Sequence, residues 1–141
     1  MQVIEHQYLH YKNVLVYETV VAPESISGIV NGIPDNLSVL GLQLHGKIIM
    51  TYKGNCIEFI IPVNESFSSN QHYRYKPEFK LVNAVRARHY GSFLNIGDKV
   101  EELNTYIAER SLQSITQPYF IVRDIQNCIF DVYIGISENV L

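Results

Sequence analysis

Residues 54–65 read Gly54-Asn55-Cys56-Ile57-Glu58-Phe59-Ile60-Ile61-Pro62-Val63-Asn64-Glu65, and the same pattern returns near the C-terminal end. The second copy reads Gln126-Asn127-Cys128-Ile129-Phe130-Asp131-Val132-Tyr133-Ile134-Gly135-Ile136-Ser137-Glu138. The triplet Asn-Cys-Ile recurs after 72 residues, about half of the 141-residue chain. A repeated unit that cannot bury its own apolar face buries it against its twin. The repeat therefore predicts two similar halves with a groove along their join, where we expect the functional site.

Composition is typical of a folded globular protein. The chain is 47% hydrophobic and 18% charged, which argues against a disordered segment. We interpret residues 1–141 as a single domain made of two repeats, about 12–64 and 76–138. The polar, serine-rich stretch over 65–75 is expected to link them.

Charge and hydropathy argue against several classes of partner. A net charge of −3 offers no general attraction to nucleic acid or to an anionic membrane. The apolar runs are far shorter than the roughly 20 residues of a membrane span. The start of the chain lacks a basic region followed by an apolar core, so we expect no secretion signal. Two cysteines in such a chain favour free thiols and a cytoplasmic location.

The predicted elements follow the order strand, helix, strand, strand, twice. In the first half the residue pattern predicts a helix over about 26–40 and strands over 13–22, 47–53 and 56–63. Pro34 is expected to kink this helix or split it in two. In the second half it predicts strands over 79–90, 118–123 and 128–136, and a helix with the apolar stripe Ile96, Val100, Leu103, Tyr106 and Ile107. Helices on one side of largely antiparallel strands make an α+β fold, βαββ-βαββ.

Short motifs resemble the GyrI-like (gyrase-inhibitor-like) family of small-molecule-binding domains. In the second half they are His89-Tyr90-Gly91-Ser92-Phe93, Gln117-Pro118-Tyr119-Phe120 and Asp131-Val132-Tyr133-Ile134-Gly135-Ile136. In the first half, the equivalent motif is Glu58-Phe59-Ile60-Ile61-Pro62-Val63. The resemblance covers about 12–137. It implies a bacterial effector-binding domain, alone or fused behind DNA-binding helices, with an aromatic cleft that binds drug-like or cationic molecules.

One position departs from the family pattern. The resemblance implies a cleft glutamate on the strand after Pro118, and this chain has Ile121 there and Arg123 two residues later. A buried carboxylate would hold a cation or act as an acid or base, and isoleucine can do neither. Arg123 favours an anion or a carboxylate of a partner. We therefore do not extend the family's hydrolase activity or cationic preference to this chain. If the groove is open, Ile121→Glu is expected to create affinity for hydrophobic cations.

Most of the candidate groove residues offer an aromatic ring face or a polar group to a ligand. Ile121 is included because it stands where the family pattern has glutamate. The candidates are Tyr17, Glu18, Tyr52, Arg88, Tyr90, Tyr119, Ile121 and Arg123. Alternation places Arg86, Arg88 and Tyr90 on one strand face, which is either an anion-binding or protein-docking stripe or a solvated face. Glu18 lies among valines. Its carboxylate either replaces the family's missing cleft carboxylate or is exposed to solvent.

No cofactor, metal or nucleophile site stands out. Cys56 and Cys128 hold equivalent places in the repeat, where two buried thiols are favoured over a disulfide. The five histidines have no metal-ligand spacing.

Three functions remain open from the sequence. The first is a stand-alone, non-enzymatic module that binds a small organic ligand in the groove as a sensor or sequestering protein, so that any regulation of transcription would need a partner or another chain. The second is a protein-interaction adaptor or chaperone-like partner, associated with type VII secretion, that has lost the small-molecule site. The third is a small-molecule hydrolase. A monomer and a homodimer are both compatible with the sequence.

Overall fold

Each half of the chain runs strand, helix, strand, strand. The computed structural model describes residues 2–137. The first half contains β1 (Val3–Thr19), a 3-10 turn (Pro23–Ser25), α1 (Ile26–Val39), β2 (Ile49–Lys53) and β3 (Cys56–Pro62). The second contains β4 (Arg74–Tyr90), a 3-10 turn (Phe93–Asn95), α2 (Ile96–Glu109), β5 (Gln113–Ser114), β6 (Tyr119–Asp124) and β7 (Ile129–Ser137). Both long strands have 17 residues and both helices have 14, as expected of two copies of one unit. Glu138, the end of the predicted second repeat, lies outside the described residues.

The strands form one antiparallel sheet in the order β4-β1-β3-β2-β6-β7-β5. A further pairing of β4 with β7 closes six of the strands into a ring. Equivalent strands meet twice, since β1 pairs with β4 and β2 pairs with β6. This arrangement confirms the α+β fold and the pseudo-twofold relation between its halves.

Both helices pack on the same face of the sheet, as predicted. Four residues of α1 at helical spacing are buried there: Ile26, Val30, Ile33 and Leu37. From α2 the buried residues are Ile96, Leu103 and Ile107, with Val100 and Tyr106 partly buried beside them. These side chains share one apolar cluster with Phe59, Phe120 and Phe130 of the sheet. The burial of apolar surface in this cluster is the main stabilising contribution to the fold.

The long strands begin earlier than the sequence pattern predicts. β1 starts at Val3 instead of Asn13, and β4 starts at Arg74 instead of Phe79. Each extra segment pairs mostly with the predicted part of the other long strand, with His10 opposite Lys80 and Lys76 opposite Val14. Their strand conformation depends on this pairing between distant parts of the chain, so alternation in one segment does not reveal it. The short strand β5 was not predicted either.

Helix α1 continues across Pro34, and the predicted split is wrong. A proline inside a helix removes one backbone hydrogen bond and costs about 3 kcal/mol. The apolar stripe of α1 runs on both sides of Pro34, from Ile26 to Leu37, and is buried along its whole length. Packing against the sheet offsets the cost of the proline.

The cysteines of the repeat are free thiols. Cys56 and Cys128 are each half-buried at the start of an equivalent hairpin strand. Across residues 2–137, no helix is long and apolar enough to cross a membrane.

Candidate ligand-binding site

The face of the sheet opposite the helices carries a second apolar cluster, here called the helix-free cluster. Its buried members come from all six strands of the ring: Val14, Val16, Ile49, Ile60, Phe79, Leu81, Ala84, Ile121 and Tyr133. The Phe79 ring meets the Tyr119 ring edge-on at 5.0 Å between centroids. The two halves therefore meet on this face through packed side chains.

At one end of the helix-free cluster lies a buried carboxylate surrounded by arginines. Asp131, in the middle of β7, is 1% exposed and pairs with Arg88 of β4 and Ile121 of β6. Arg88 Nε donates to Asp131 Oδ1 at 2.8 Å, and Arg88 Nη2 donates to Oδ2 at 3.4 Å. Arg86 Nη1 lies 3.8 Å and Arg123 Nε 3.6 Å from Asp131 Oδ2. We call Arg86, Arg88 and Arg123 the arginine cluster.

The arginine cluster holds more positive charge than Asp131 neutralises. A buried carboxylate is tolerated where it is paired and hydrogen-bonded, and Arg88 supplies both. The hydrogen bond to Asp131 is the largest cause that raises the pKa of Arg88, and contact with Tyr90 adds to it. Three positive charges face one negative charge, so the local potential is positive.

An open cavity of about 360 Å³ adjoins this cluster. It lies beside the first residues of β1 and the last residues of β4, and its lining is Gln2, Ile4, Arg86, Arg88, Tyr90 and Lys99. Tyr90, which lines this cavity, is 69% exposed. Lys99 Nζ contacts Glu102 Oε2 at 2.8 Å along α2. The cavity lining thus combines the cationic groups of two arginines and a lysine with one aromatic ring.

The structure brings together only part of the predicted site. Arg88 and Arg123 meet at Asp131, and Arg88 and Tyr90 line the same cavity. Tyr119 packs against Phe79, and Ile121 is 3% exposed within the helix-free cluster.

Two predicted tyrosines lie on the helix side of the sheet. The ring of Tyr17 stacks on Phe59 with 5.1 Å between centroids. The ring of Tyr52 meets Phe120 edge-on at 5.7 Å. Tyr17 lines two other cavities, of about 290 and 220 Å³, that do not include the arginine cluster.

Glu18 has a surface ion pair. Lys53 Nζ donates to its Oε1 at 2.8 Å, and the Glu18 side chain is 37% exposed. This hydrogen bond is the largest cause that lowers the pKa of Glu18 and raises the pKa of Lys53. Glu18 pairs with Glu58 in the same way that Arg88 pairs with Asp131. The first half therefore has two carboxylates where the second half has an arginine and a carboxylate.

Three charged residues of the site were not among the predicted ones: Asp131, Arg86 and Lys99. Asp131 interrupts the otherwise apolar run of β7, and a lone acid in such a run is a signal that could have identified it. Arg86 was recognised only as part of a charged face. Lys99 reaches the cavity from α2, so no local sequence signal could have linked it to β4.

Comparison with solved structures shows which fold this is. One similar structure is an EcmrR chain in a cryo-EM structure of an EcmrR-DNA complex. It is 14% identical in sequence to this chain and superimposes on it with a TM-score of 0.78. The match covers 98% of this chain and 58% of that one, so this chain spans little more than half of its length. The EcmrR C-terminal domain is 12% identical with a TM-score of 0.70, over 98% of both chains. A hydrolase from Listeria innocua is 12% identical with a TM-score of 0.58, over 96% of this chain and 90% of that one.

These similarities concern the fold. No family model matches the sequence, and no curated protein matches it. The chain has the two-half fold of the EcmrR C-terminal domain, in agreement with the strand order and the pairing of its halves.

The tyrosines packed in and beside the helix-free cluster lead to a prediction for alkaline pH. Burial is the largest cause that raises the pKa of Tyr11, Tyr119 and Tyr133 above the ordinary value. Below pH 10 these phenols are neutral in both the folded and the unfolded chain, and above it the unfolded chain ionises first. We expect the free energy of unfolding to fall as pH rises above about 10. Urea titrations at pH 8 and about pH 10.5 measure this, and the loss should be smaller in Tyr119→Phe. An equal loss in that variant would contradict the role of Tyr119.

Proposed function

We propose that this chain is a non-enzymatic domain that binds a small organic molecule in the cavity beside the arginine cluster. The cavity itself carries the proposal, since its 360 Å³ lie within the range of about 300–1,000 Å³ typical of small-molecule sites. Arg86, Arg88 and Tyr90 stand on β4, a strand held on both sides by β1 and β7. Groups on rigid strands hold a ligand without first being ordered, which reduces the cost of binding.

The state of Asp131 supports a binding role over a catalytic one. A carboxylate that acts as an acid or base must reach the proton it transfers. Asp131 is 1% exposed and both of its oxygens face arginine nitrogens. Its role in the proposal is to orient Arg88, which faces the cavity.

The shared fold suggests how binding would be used. The EcmrR C-terminal domain has this fold, and EcmrR forms a complex with DNA. By analogy, we propose that ligand binding here serves transcription regulation in a bacterial cytoplasm. The analogy rests on the fold alone.

Thermal shift with a panel of small aromatic probes tests the proposal. A ligand at 100 times its Kd stabilises the folded state by about 2.7 kcal/mol, which raises Tm by roughly 8 °C in a chain of this size. We expect such a shift for wild-type protein and a much smaller one for Tyr90→Ala. Tyr8→Ala is the matched control, because Tyr8 is also an exposed strand tyrosine, at 54%. The proposal fails if no probe raises Tm, or if Tyr90→Ala responds like the control.

A protein-docking function is the second candidate. The packing of the helix-free cluster favours it, since Ile121 and Tyr133 are only 3% and 6% exposed and fill the face where the family cleft was expected. Val39 is 85% and Leu40 is 43% exposed at the end of α1, which adds apolar surface for a partner.

A further inference from the structure

We infer that the ligand of the cavity is an organic anion, a carboxylate on a flat aromatic body. The inference rests on the proposed function, because it names the chemical class of the ligand for that same site. Its basis is the combination of unneutralised positive charge and an exposed ring at the end of β4.

The first argument is the charge of the lining. Among the described residues, the lining contains the three cations Arg86, Arg88 and Lys99 and no carboxylate. The acids that Arg88 and Lys99 contact, Asp131 and Glu102, are each engaged in a hydrogen bond with them. Asp131 is too deeply buried to meet a ligand. A cation entering this cavity would meet net repulsion, and an anion would meet net attraction.

The second argument is the supply of hydrogen-bond donors. A guanidinium carries five N–H donors in a planar fork. Arg88 directs its Nε and Nη2 to Asp131 and also interacts with the Tyr90 side chain, and these contacts use fewer than its five N–H donors. Arg86 Nη1 stays 3.8 Å from Asp131, beyond hydrogen-bond distance. Two arginine forks on one strand face suit the paired oxygens of a carboxylate.

The third argument is the aromatic wall. Tyr90 follows Arg88 on the same face of β4 and is 69% exposed. An aromatic ring gains free energy by stacking a flat apolar group against it. Ile4, opposite Arg86 in the β1–β4 register, adds an apolar surface. A ligand with a charged head and a flat body would use both parts.

The first half of the chain provides an internal comparison. Its cavity of about 290 Å³ lies at the equivalent place, beside the end of β1 and the start of β4. That lining holds Glu18 and Arg74, charges of opposite sign, and Glu18 stands where the second half has Arg88. The excess of positive charge is therefore specific to the cavity of the second half.

Three probes of the same shape and different charge test the inference: naphthalene-2-carboxylate, 2-naphthamide and 2-naphthamidine. We expect calorimetric titration of the full chain to show the carboxylate binding at least about 10-fold tighter than the neutral amide, and no binding of the amidine. Arg86→Gln should weaken the carboxylate about 10-fold and leave the amide unchanged. Arg74→Gln is the matched control in the first-half cavity and should bind the carboxylate like wild type.

The outcomes separate the inference from the proposed function. Tighter binding of the amide or the amidine, lost in Tyr90→Ala, would overturn the anionic class and keep the binding site. The same would follow if Arg86→Gln bound the carboxylate like wild type. The proposed function itself would be overturned if the wild-type chain bound none of the three probes and no other small aromatic molecule in the thermal-shift panel.

Discussion

Replacement of Ile121 by glutamate is expected to lower the free energy of unfolding by about 4 kcal/mol at pH 7. Ile121 is 3% exposed, faces Ile49 on β2 and pairs with the carboxylate Asp131 on β7. Desolvation of a fully buried carboxyl raises its pKa by about 3–5 units, and we take about 3 because the arginine cluster lies beside this position; each unit is 1.36 kcal/mol. Because position 121 is packed, we expect the glutamate to destabilise the folded state. An open groove at this position would instead predict a new cation-binding site.

The pH dependence makes this prediction specific. The carboxyl at position 121 would be neutral in both the folded and the unfolded state below the ordinary glutamate pKa of about 4.3. The cost of burying its charge should therefore be absent there. As pH rises above this value, the unfolded chain ionises first and the variant loses stability relative to wild type. Urea unfolding at pH 4 and pH 7 measures the difference. Ile121→Gln has a similar shape and no charge, so its deficit should be the same at both pH values. A glutamate variant as stable as wild type that binds hydrophobic cations would show that Ile121 faces an open groove.

Replacement of Arg88 by methionine is expected to cost about 3 kcal/mol. The variant keeps an unbranched side chain and removes the hydrogen-bond partner of the buried Asp131. The remaining arginines lie at 3.6 and 3.8 Å, outside hydrogen-bond distance, so the carboxylate would be left unsatisfied. Loss of one member of a buried pair costs 3–5 kcal/mol, and the low end applies because the Arg88 side chain is 36% exposed.

A double-mutant cycle with Asp131→Asn tests the cause. If the cost arises from an orphaned charge, Arg88→Met should be less damaging when Asp131 is already neutral, with a coupling of about 2 kcal/mol. Lys99→Met is the matched control, because Lys99 lines the same cavity and is paired with Glu102 instead. Additive effects of Arg88→Met and Asp131→Asn would show that the pair contributes no more than two independent residues.

Features that depend on neighbouring residues could be predicted from the sequence. The stripe of α2 from Ile96 to Ile107 is buried as expected, because helical spacing alone decides which side chains share a face. The turn at Gly54 and Asn55 joins β2 to β3, with Lys53 opposite Cys56 and Gly54 at φ 61°. Glycine adopts that conformation without strain.

The arginine cluster could be predicted only in part. Arg88 and Arg123 were recognised as candidates from their places on two strands, and Arg88 with Tyr90 lines the cavity. Tyr17 and Tyr52 have the same residue type as Tyr90, yet they lie on the helix side against Phe59 and Phe120. A strand pattern assigns residues to two faces and does not say which face the helices will cover.

The amino-acid order alone was enough to reveal the doubled unit, its α+β class and the periodicity of its helices, because each of these depends on spacing within a short stretch. The meeting of Arg88, Arg123 and Asp131, the filling of the family cleft around Ile121 and the early start of β1 required the folded chain. Each of them depends on the register between strands that are distant in sequence, and register is set by packing of the whole sheet.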